Sequence, residues 1–279
     1  MSTLKLNVDS LNVRFVNGKK EMHAVRDVSF TLGREKLAIV GESGSGKSTV
    51  GRSLLKLHPG STQITAKALQ FGDIDLLSAS EKAMQKIRGQ RISMIMQDPK
   101  YSLNPVVKVG DQIAEAYLAH HKASRSEARD RVMLMLEKVH IRDPKRVYNL
   151  YPHEVSGGMG QRIMIAMMVI TNPEVIIADE PTSALDVSVR QQVLNVLEEL
   201  VVEQQMGLIF VSHDLNLVRN YCDRVLVMYA GRVVESLAAC DLQYAEHPYT
   251  RGLLAALPSM DNRRPRLPVL QRDPLWLTC

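Results

Sequence analysis

The chain has 279 residues, 45% of them hydrophobic and 23% charged, a length that can bury a sizeable core and a balance that excludes disordered, collagen-like and disulfide-scaffold proteins. Its formal net charge of +5 is modest and reads as solubility rather than as a nucleic-acid or anionic-lipid surface. Cys222, Cys240 and Cys279 are odd in number and form no Cys-x-x-Cys pair, so neither a disulfide framework nor a zinc site is indicated.

The N-terminus, Met1 to Val8, alternates polar and apolar residues like a strand and lacks the apolar core of a secretory signal. Residues 4–15 and 23–32 read as strands, and Asn17-Gly18-Lys19-Lys20 between them as a polar turn, which predicts an antiparallel start. Residues 36–40 are nearly all apolar, as in a strand buried on both faces of a parallel sheet, and lead through a glycine-rich loop into a helix from Lys47.

From about residue 98 to 170 the pattern changes. Residues 109–120, 126–139 and 161–170 have helical spacing, punctuated by Pro105, Pro144 and Pro152. The longest strongly apolar run, 163–170, falls far short of the ~20 residues that cross a bilayer. A cytoplasmic protein without a transmembrane helix is therefore expected. The Met-rich stretches at 133–136 and 164–168 read as helix packing rather than metal handling. Strand-like runs resume at 175–178, 207–211 and 224–228, with a helical pattern between the first two, as βαβ units require. After Ala245 the chain becomes richer in Pro and Arg, predicting a short extension that is ordered at first and looser later.

Two segments carry chemistry, the second only in company with the first. Gly41-Glu42-Ser43-Gly44-Ser45-Gly46-Lys47-Ser48, followed by Thr49, fits the phosphate loop G-x-x-x-x-G-K-[ST] in its required place between strand and helix. Glycines there let backbone N–H groups converge on phosphate oxygens, the helix N-terminus adds its dipole, Lys47 reaches the β- and γ-phosphates, and Ser48 ligates Mg²⁺. Second, the apolar run 175–178 delivers Asp179 and Glu180 at a strand end. Asp179 suits the Mg²⁺ shell, and Glu180 suits orienting or deprotonating an attacking water. ATP and Mg²⁺ are the expected cofactors.

Val155-Ser156-Gly157-Gly158-Met159-Gly160-Gln161 lies before a helical pattern and resembles the ABC family signature, usually written LSGGQ. With the phosphate loop, Gln97, Asp179-Glu180, Ser183-Ala184-Leu185-Asp186 and His213 in the family's order, nearly the whole chain resembles ATP-binding subunits of ABC transporters. The resemblance implies an α/β P-loop NTPase core with an antiparallel β subdomain over 1–96 and 171–245, an inserted α-helical subdomain over 97–170, and an extension over 246–279. It implies that Phe15 stacks on adenine, that Gln97 links the Mg²⁺ site to the helical lobe, and that His213 contacts the γ-phosphate and the attacking water. Ser156 and Gly158 would meet the γ-phosphate held by a second subunit, and Asp186 belongs to the loop that crosses that interface.

Expected partners are transmembrane permease subunits, a second ATP-binding subunit, identical or homologous, and a separate solute-binding protein, with the chain peripheral on the inner face of the cell membrane and no nucleic acid bound. Tyr101, Leu103 and Val106 are the expected permease-docking residues. Gln97-Asp98-Pro99, Ser102-Leu103-Asn104-Pro105 and 247–254 resemble the dipeptide, oligopeptide and nickel importer branch, although no Cys-rich cluster supports an iron–sulfur role. Close relatives usually read Ser-Gly-Gly-Met-Arg-Gln-Arg in the signature, whereas this chain has Gly160, at a helix-propensity cost of about 1 kcal/mol relative to Ala. The rival readings are a soluble ABC ATPase of DNA repair or translation, and a regulatory protein that binds ATP without turnover.

Overall fold

The computed structural model describes residues 5–18, 20–183, 185–257, 273 and 276, with the backbone alone at 100 and 101. The chain divides into two compact units, Met1–Ala79 with Ile209–Cys279, and Ser80–Leu208.

In the first unit, strands Leu6–Asn17 and Lys20–Leu32 pair antiparallel, with Leu6 opposite Leu32 and Phe15 opposite Met22. Leu6, Val8, Leu11 and Val13 on one strand and Val25, Val28, Phe30 and Leu32 on the other are buried. The inward set changes phase at Ser10, where φ is 54° and the register shifts. The Ser10 amide, freed from the ladder, donates to Ser29 Oγ at 2.8 Å, as a bulge requires. Thr62–Thr65 and Ala68–Phe71 pair with the first strand, and Ile74–Asp75 follows, completing a five-stranded antiparallel sheet. The sequence reading anticipated only the first two of these strands, because the later three are short and half polar.

The same unit holds strands Arg232–Ala238, Arg224–Tyr229 and Lys36–Val40 and, from Ile209 on, strand Gly207–Ser212, neighbours in that order. Lys36–Val40 runs parallel to Arg224–Tyr229, and Leu37, Ala38, Ile39 and Val40 have no exposed surface. The continuous apolar run was therefore a faithful sign of burial on both faces. Helix Lys47–Leu54 follows strand Lys36–Val40, and helix Pro248–Ala255 opens the extension. The expected looser part of that extension falls on 258–279, of which all but Asp273 and Trp276 lie outside the described residues.

The second unit is mainly helical. Its long helices are Val109–Leu118, Arg125–Lys138, Gly157–Val169 and Val187–Glu203. Strands Ile92–Ile95 and Val175–Asp179 pair parallel, Ile92 against Val175 and Ile95 against Ala178. Two of the three prolines act as starts: Pro144 is the first residue of helix Pro144–Tyr148, where Asp143 accepts from Arg146 N at 3.1 Å, and Pro152 opens the short turn of helix Pro152–Glu154. Met135 and Met164 are buried in their helices. Among the described residues, no helix is long and apolar enough to cross a membrane.

Candidate functional site

The phosphate loop occupies the first unit. Gly41 has φ 148°, and a Cβ there would stand 2.1 Å from the Met228 carbonyl oxygen, so only glycine lets the loop leave its strand so close to the neighbouring one. Gly46 has φ 101°, and its Cβ would meet the Ala24 carbonyl oxygen at 2.6 Å. Both obstructing atoms are backbone, which cannot rotate away. Between them Ser45 N donates to Glu42 O at 3.2 Å, closing a tight turn, and Gly231 N donates to Ser45 O at 3.0 Å.

Helix Lys47–Leu54 begins at Gly46 without a side-chain cap and without an acidic residue in its first turn. Its first N–H groups therefore present the positive end of the helix to an anion. Lys47 is 5% exposed, and its ammonium donates to the carbonyls of Gly41 and Glu42, each at 2.8 Å. The Ser45 hydroxyl is buried and lacks a hydrogen-bond partner. An uncapped helix start, a buried ammonium and an orphan hydroxyl fit phosphate oxygens.

A cavity of about 450 Å³ opens over this loop, lined among others by Phe15, His23, Arg26, Ser43, Lys47 and Thr49. Gly44, Gly46 and Ser48 also line it. Phe15 stands edge-on to His58, ring centroids 5.5 Å apart. An aromatic ring and a phosphate cradle thus share one cavity, as a nucleotide with a flat base and a charged tail requires. Sequence reasoning missed His23, Arg26 and Ala230, which line the same space. Strand periodicity places the first two on a sheet but gives no sign of what faces them. His213, in the same unit, is exposed at the end of strand Gly207–Ser212, and Asp214 beside it caps helix Leu215–Tyr221 by accepting from Leu217 N at 3.0 Å.

The second unit carries the carboxylates. Asp179 ends a wholly buried strand and is 4% exposed. Glu180 follows at φ 47°, in the left-handed region, so the chain turns sharply as it leaves the strand. Ser183 donates to the Glu180 carbonyl through its amide, at 3.2 Å, and through its hydroxyl, at 3.1 Å. Gln97 Nε2 donates to Glu180 Oε2 at 3.4 Å, so these two expected residues do meet.

In the signature, the helix starts at Gly157, four residues before the sequence pattern suggested, and so contains the glycines instead of following them. Ser156 is the reason: its hydroxyl accepts from Met159 N at 3.4 Å, capping the first turn. A Cβ at Gly158 would stand 2.3 Å from Val189 Cγ1, so this glycine serves close packing against helix Val187–Glu203. Gly160 differs, since its Cβ would meet Pro99 at 3.7 Å, an ordinary contact. Ser156, Gly160 and Gln161 line a cavity of about 230 Å³ together with Asp98, Leu103 and Leu185.

Asp186 caps helix Val187–Glu203, accepting from Val189 N at 2.9 Å and Ser188 Oγ at 2.8 Å. These bonds, the first foremost, hold its carboxyl below the usual carboxylate range. Leu103, expected on a docking surface, is only 4% exposed, because it packs inward from a short turn of helix, so it cannot present itself to a partner in this state. Val106 is 78% exposed and remains available, and the side chain of Tyr101 lies outside the described residues.

Comparison with known proteins agrees with this geometry. The family model described as ABC transporter matches residues 25–183. The oligopeptide transport ATP-binding protein OppD of Bacillus subtilis (strain 168) is 45% identical over 263 residues, covering 93% of this chain and 74% of that protein. The dipeptide transport ATP-binding protein DppD of the same organism is 46% identical over 259 residues, covering 92% and 77%. A solved dimeric ATP-binding cassette, MJ0796, in a post-hydrolysis state bound to ADP and Pi, superposes with a TM-score of 0.74 at 25% identity, over 84% of this chain and 98% of that one. A phosphate cradle of this geometry, a family match over more than half the sequence and relatives near 45% identity lead to one conclusion: the chain belongs to the ABC transporter family and is an ATP-binding, ATP-hydrolysing subunit.

Proposed function

We propose that the chain energises an ABC importer for peptides or a related small solute, nickel included, by hydrolysing ATP beneath membrane permease subunits. The observation that carries the ATPase is the uncapped helix start joined to the buried Lys47 ammonium and the Phe15-lined cavity. The peptide transport named in OppD and DppD, and the glutathione import named in GsiA of Shigella boydii, support the solute class and favour transport over a soluble repair or translation factor.

In this reading Phe15 receives the adenine, while Gly41, Ser43, Gly44, Ser45, Gly46, Lys47 and Thr49 hold the phosphates. Ser48 and Asp179, with Gln97, would hold Mg²⁺, which when bound neutralises charge building on the phosphate oxygens. Glu180 orients the attacking water and takes its proton, and His213 steadies that water and the γ-phosphate. Ser156, Gly158 and Asp186 act across a pair of ATPase subunits, identical or homologous, each signature completing the other chain's site. The division into a core over 1–96 and 171–245, a helical subdomain over 97–170 and an extension over 246–279 belongs to the same proposal. So do a separate solute-binding protein and a position on the inner face of the cell membrane. Of the two described side chains of the proposed permease contact, Val106 is the exposed one.

The test pairs chemistry with transport. Glu180→Gln is expected to keep ATP binding and lower turnover at least about a hundredfold, the scale of a positioned acid–base group. Membrane vesicles holding the permease are expected to accumulate peptide only when the chain and ATP are present. Unchanged turnover in Glu180→Gln removes that assignment, and copurification with DNA or ribosomes in place of membranes overturns the transport reading.

A further inference from the structure

The extension after residue 245 begins with His247-Pro248-Tyr249-Thr250, and nothing in the nucleotide chemistry above calls for it. Tyr249 is nevertheless among the largest side chains of the chain with no exposed surface. Its hydroxyl accepts a hydrogen bond of 3.1 Å from the backbone N–H of Glu42, the second residue of the phosphate loop.

The local structure explains how the extension reaches so far inward. His247 caps helix Pro248–Ala255 through Nδ1, which accepts from Tyr249 N at 3.1 Å, and Pro248 takes the first helical position, where its missing N–H costs nothing. Glu235 Oε1, on strand Arg232–Ala238, accepts from Glu246 N at 2.7 Å and His247 N at 3.2 Å, tying the start of the helix to the sheet. The Tyr249 ring then packs on Tyr229, centroids 4.6 Å apart, with Trp276 5.9 Å away on the same cluster.

Tyr229 follows Met228, whose carbonyl presses against Gly41, and it precedes Ala230, which lines the nucleotide cavity at φ 45°. The start of the phosphate loop is thus gripped twice. Strand Arg224–Tyr229 abuts it at Gly41, and the tyrosine hydroxyl fixes the peptide that follows.

We propose that Tyr249 is a positioning residue of the nucleotide site: through the Glu42 amide it sets the path of the phosphate loop, so the C-terminal motif works as part of the ATP-binding machinery. The proposal rests on the phosphate-loop reading given above. A loop whose N–H groups must converge on phosphate loses binding when its first turn can drift, because flexibility before binding has to be lost during it. One hydrogen bond of this kind corresponds to about fivefold in affinity.

The experiment measures ADP affinity by calorimetry and thermal stability for the full chain, in three variants. Tyr249→Phe keeps the ring and its packing and removes only the hydroxyl. It is expected to weaken ADP binding about fivefold and to raise KM for ATP more than it lowers kcat. Leu253→Ala trims a half-buried side chain of the same helix and leaves the Tyr249 hydroxyl in place; it is expected to lower the melting temperature while binding ADP like the unaltered chain. Lys47→Ala is expected to lose ADP binding. If Lys47→Ala binds ADP normally, the phosphate-loop reading falls. If Lys47→Ala fails to bind while Tyr249→Phe matches the unaltered chain, the positioning role alone falls. It falls as well if Leu253→Ala weakens ADP binding as much as Tyr249→Phe does.

Discussion

The phosphate loop and the signature are both glycine-rich stretches at the start of a helix, yet they use glycine in opposite ways. In the phosphate loop Gly41 and Gly46 lie outside the helix with positive φ and backbone oxygens where a Cβ would go, and no side chain caps the turn. In the signature the glycines lie inside the helix, Ser156 supplies the cap, and Gly158 is small because Val189 is close. One segment starts its helix with no side-chain cap, and the other caps its own first turn. An identical count of glycines therefore says little until the partner of each N–H is known.

The sharpest way to break the comparison is to add a methyl group at each glycine. Gly41→Ala is expected to abolish nucleotide binding, by at least about a hundredfold, because a carbonyl oxygen at 2.1 Å offers no relief. Gly158→Ala is expected to cost stability by about 1–3 kcal/mol, since Val189 is a side chain and can shift. Gly160→Ala is expected to stabilise the chain by up to about 1 kcal/mol through helix propensity. Thermal melts with ADP titrations distinguish the three, and a Gly41→Ala protein that binds ADP normally would remove the contrast.

A second test asks whether the two segments serve one site across two chains. Separately inactive Lys47→Ala and Ser156→Arg proteins are expected to regain partial ATPase activity on mixing, as one composite site becomes whole. Demonstrated pairing without activity counts against sharing. Removing the cap alone, in Ser156→Ala, is expected to cost about 1 kcal/mol, read from denaturant unfolding.

The smallest effect is a difference in pH response. His58, beside Phe15, is held below the ordinary imidazole value of 6.5, by burial first and also by Arg52, against a bond to the Thr49 carbonyl that acts the other way. A base so depressed takes its proton more readily when unfolded, so stability is complete above 6.5 and is lost as pH falls through 6.5 toward the folded value. Asp186 is depressed from 3.8, so its contribution persists above that value and is lost only as pH falls below it. Acidification from about pH 7.5 to 5.5 is therefore expected to lower the melting temperature by an increment that His58→Gln reduces and Asp186→Asn leaves in place. Equal responses in both variants would contradict these directions.

Much of this was legible in the sequence where one residue type answers to one physical demand. The run 36–40 followed by the phosphate loop gave strand, turn and helix together, since burial on both faces requires continuous apolar residues and the turn requires glycine. Asp179-Glu180 was visible for the same reason. The strands Thr62–Thr65 and Ala68–Phe71 were not, because half-buried short strands alternate too briefly to stand out. Leu103 was expected on a docking surface because a groove beside Gln97 suits coupling to a permease, whereas it is buried and shares a cavity with Pro152, Gln161 and Leu185, far along the chain. The Tyr249 bond was hidden by distance along the chain, although the motif that carries it was conspicuous.

That distance matters during synthesis on the ribosome. Glu42 and the tyrosine that holds its amide are 207 residues apart, and strand Arg224–Tyr229, which flanks the loop, also emerges late. Residues 5–79 leave the ribosome long before their remaining sheet partners do, with the apolar face of Lys36–Val40 uncovered. Contacts of such high sequence separation close slowly. The nascent chain therefore passes through a long interval with a complete nucleotide motif but an unfinished nucleotide site, and ATP favours the native state to its full extent only once helix Pro248–Ala255 has docked.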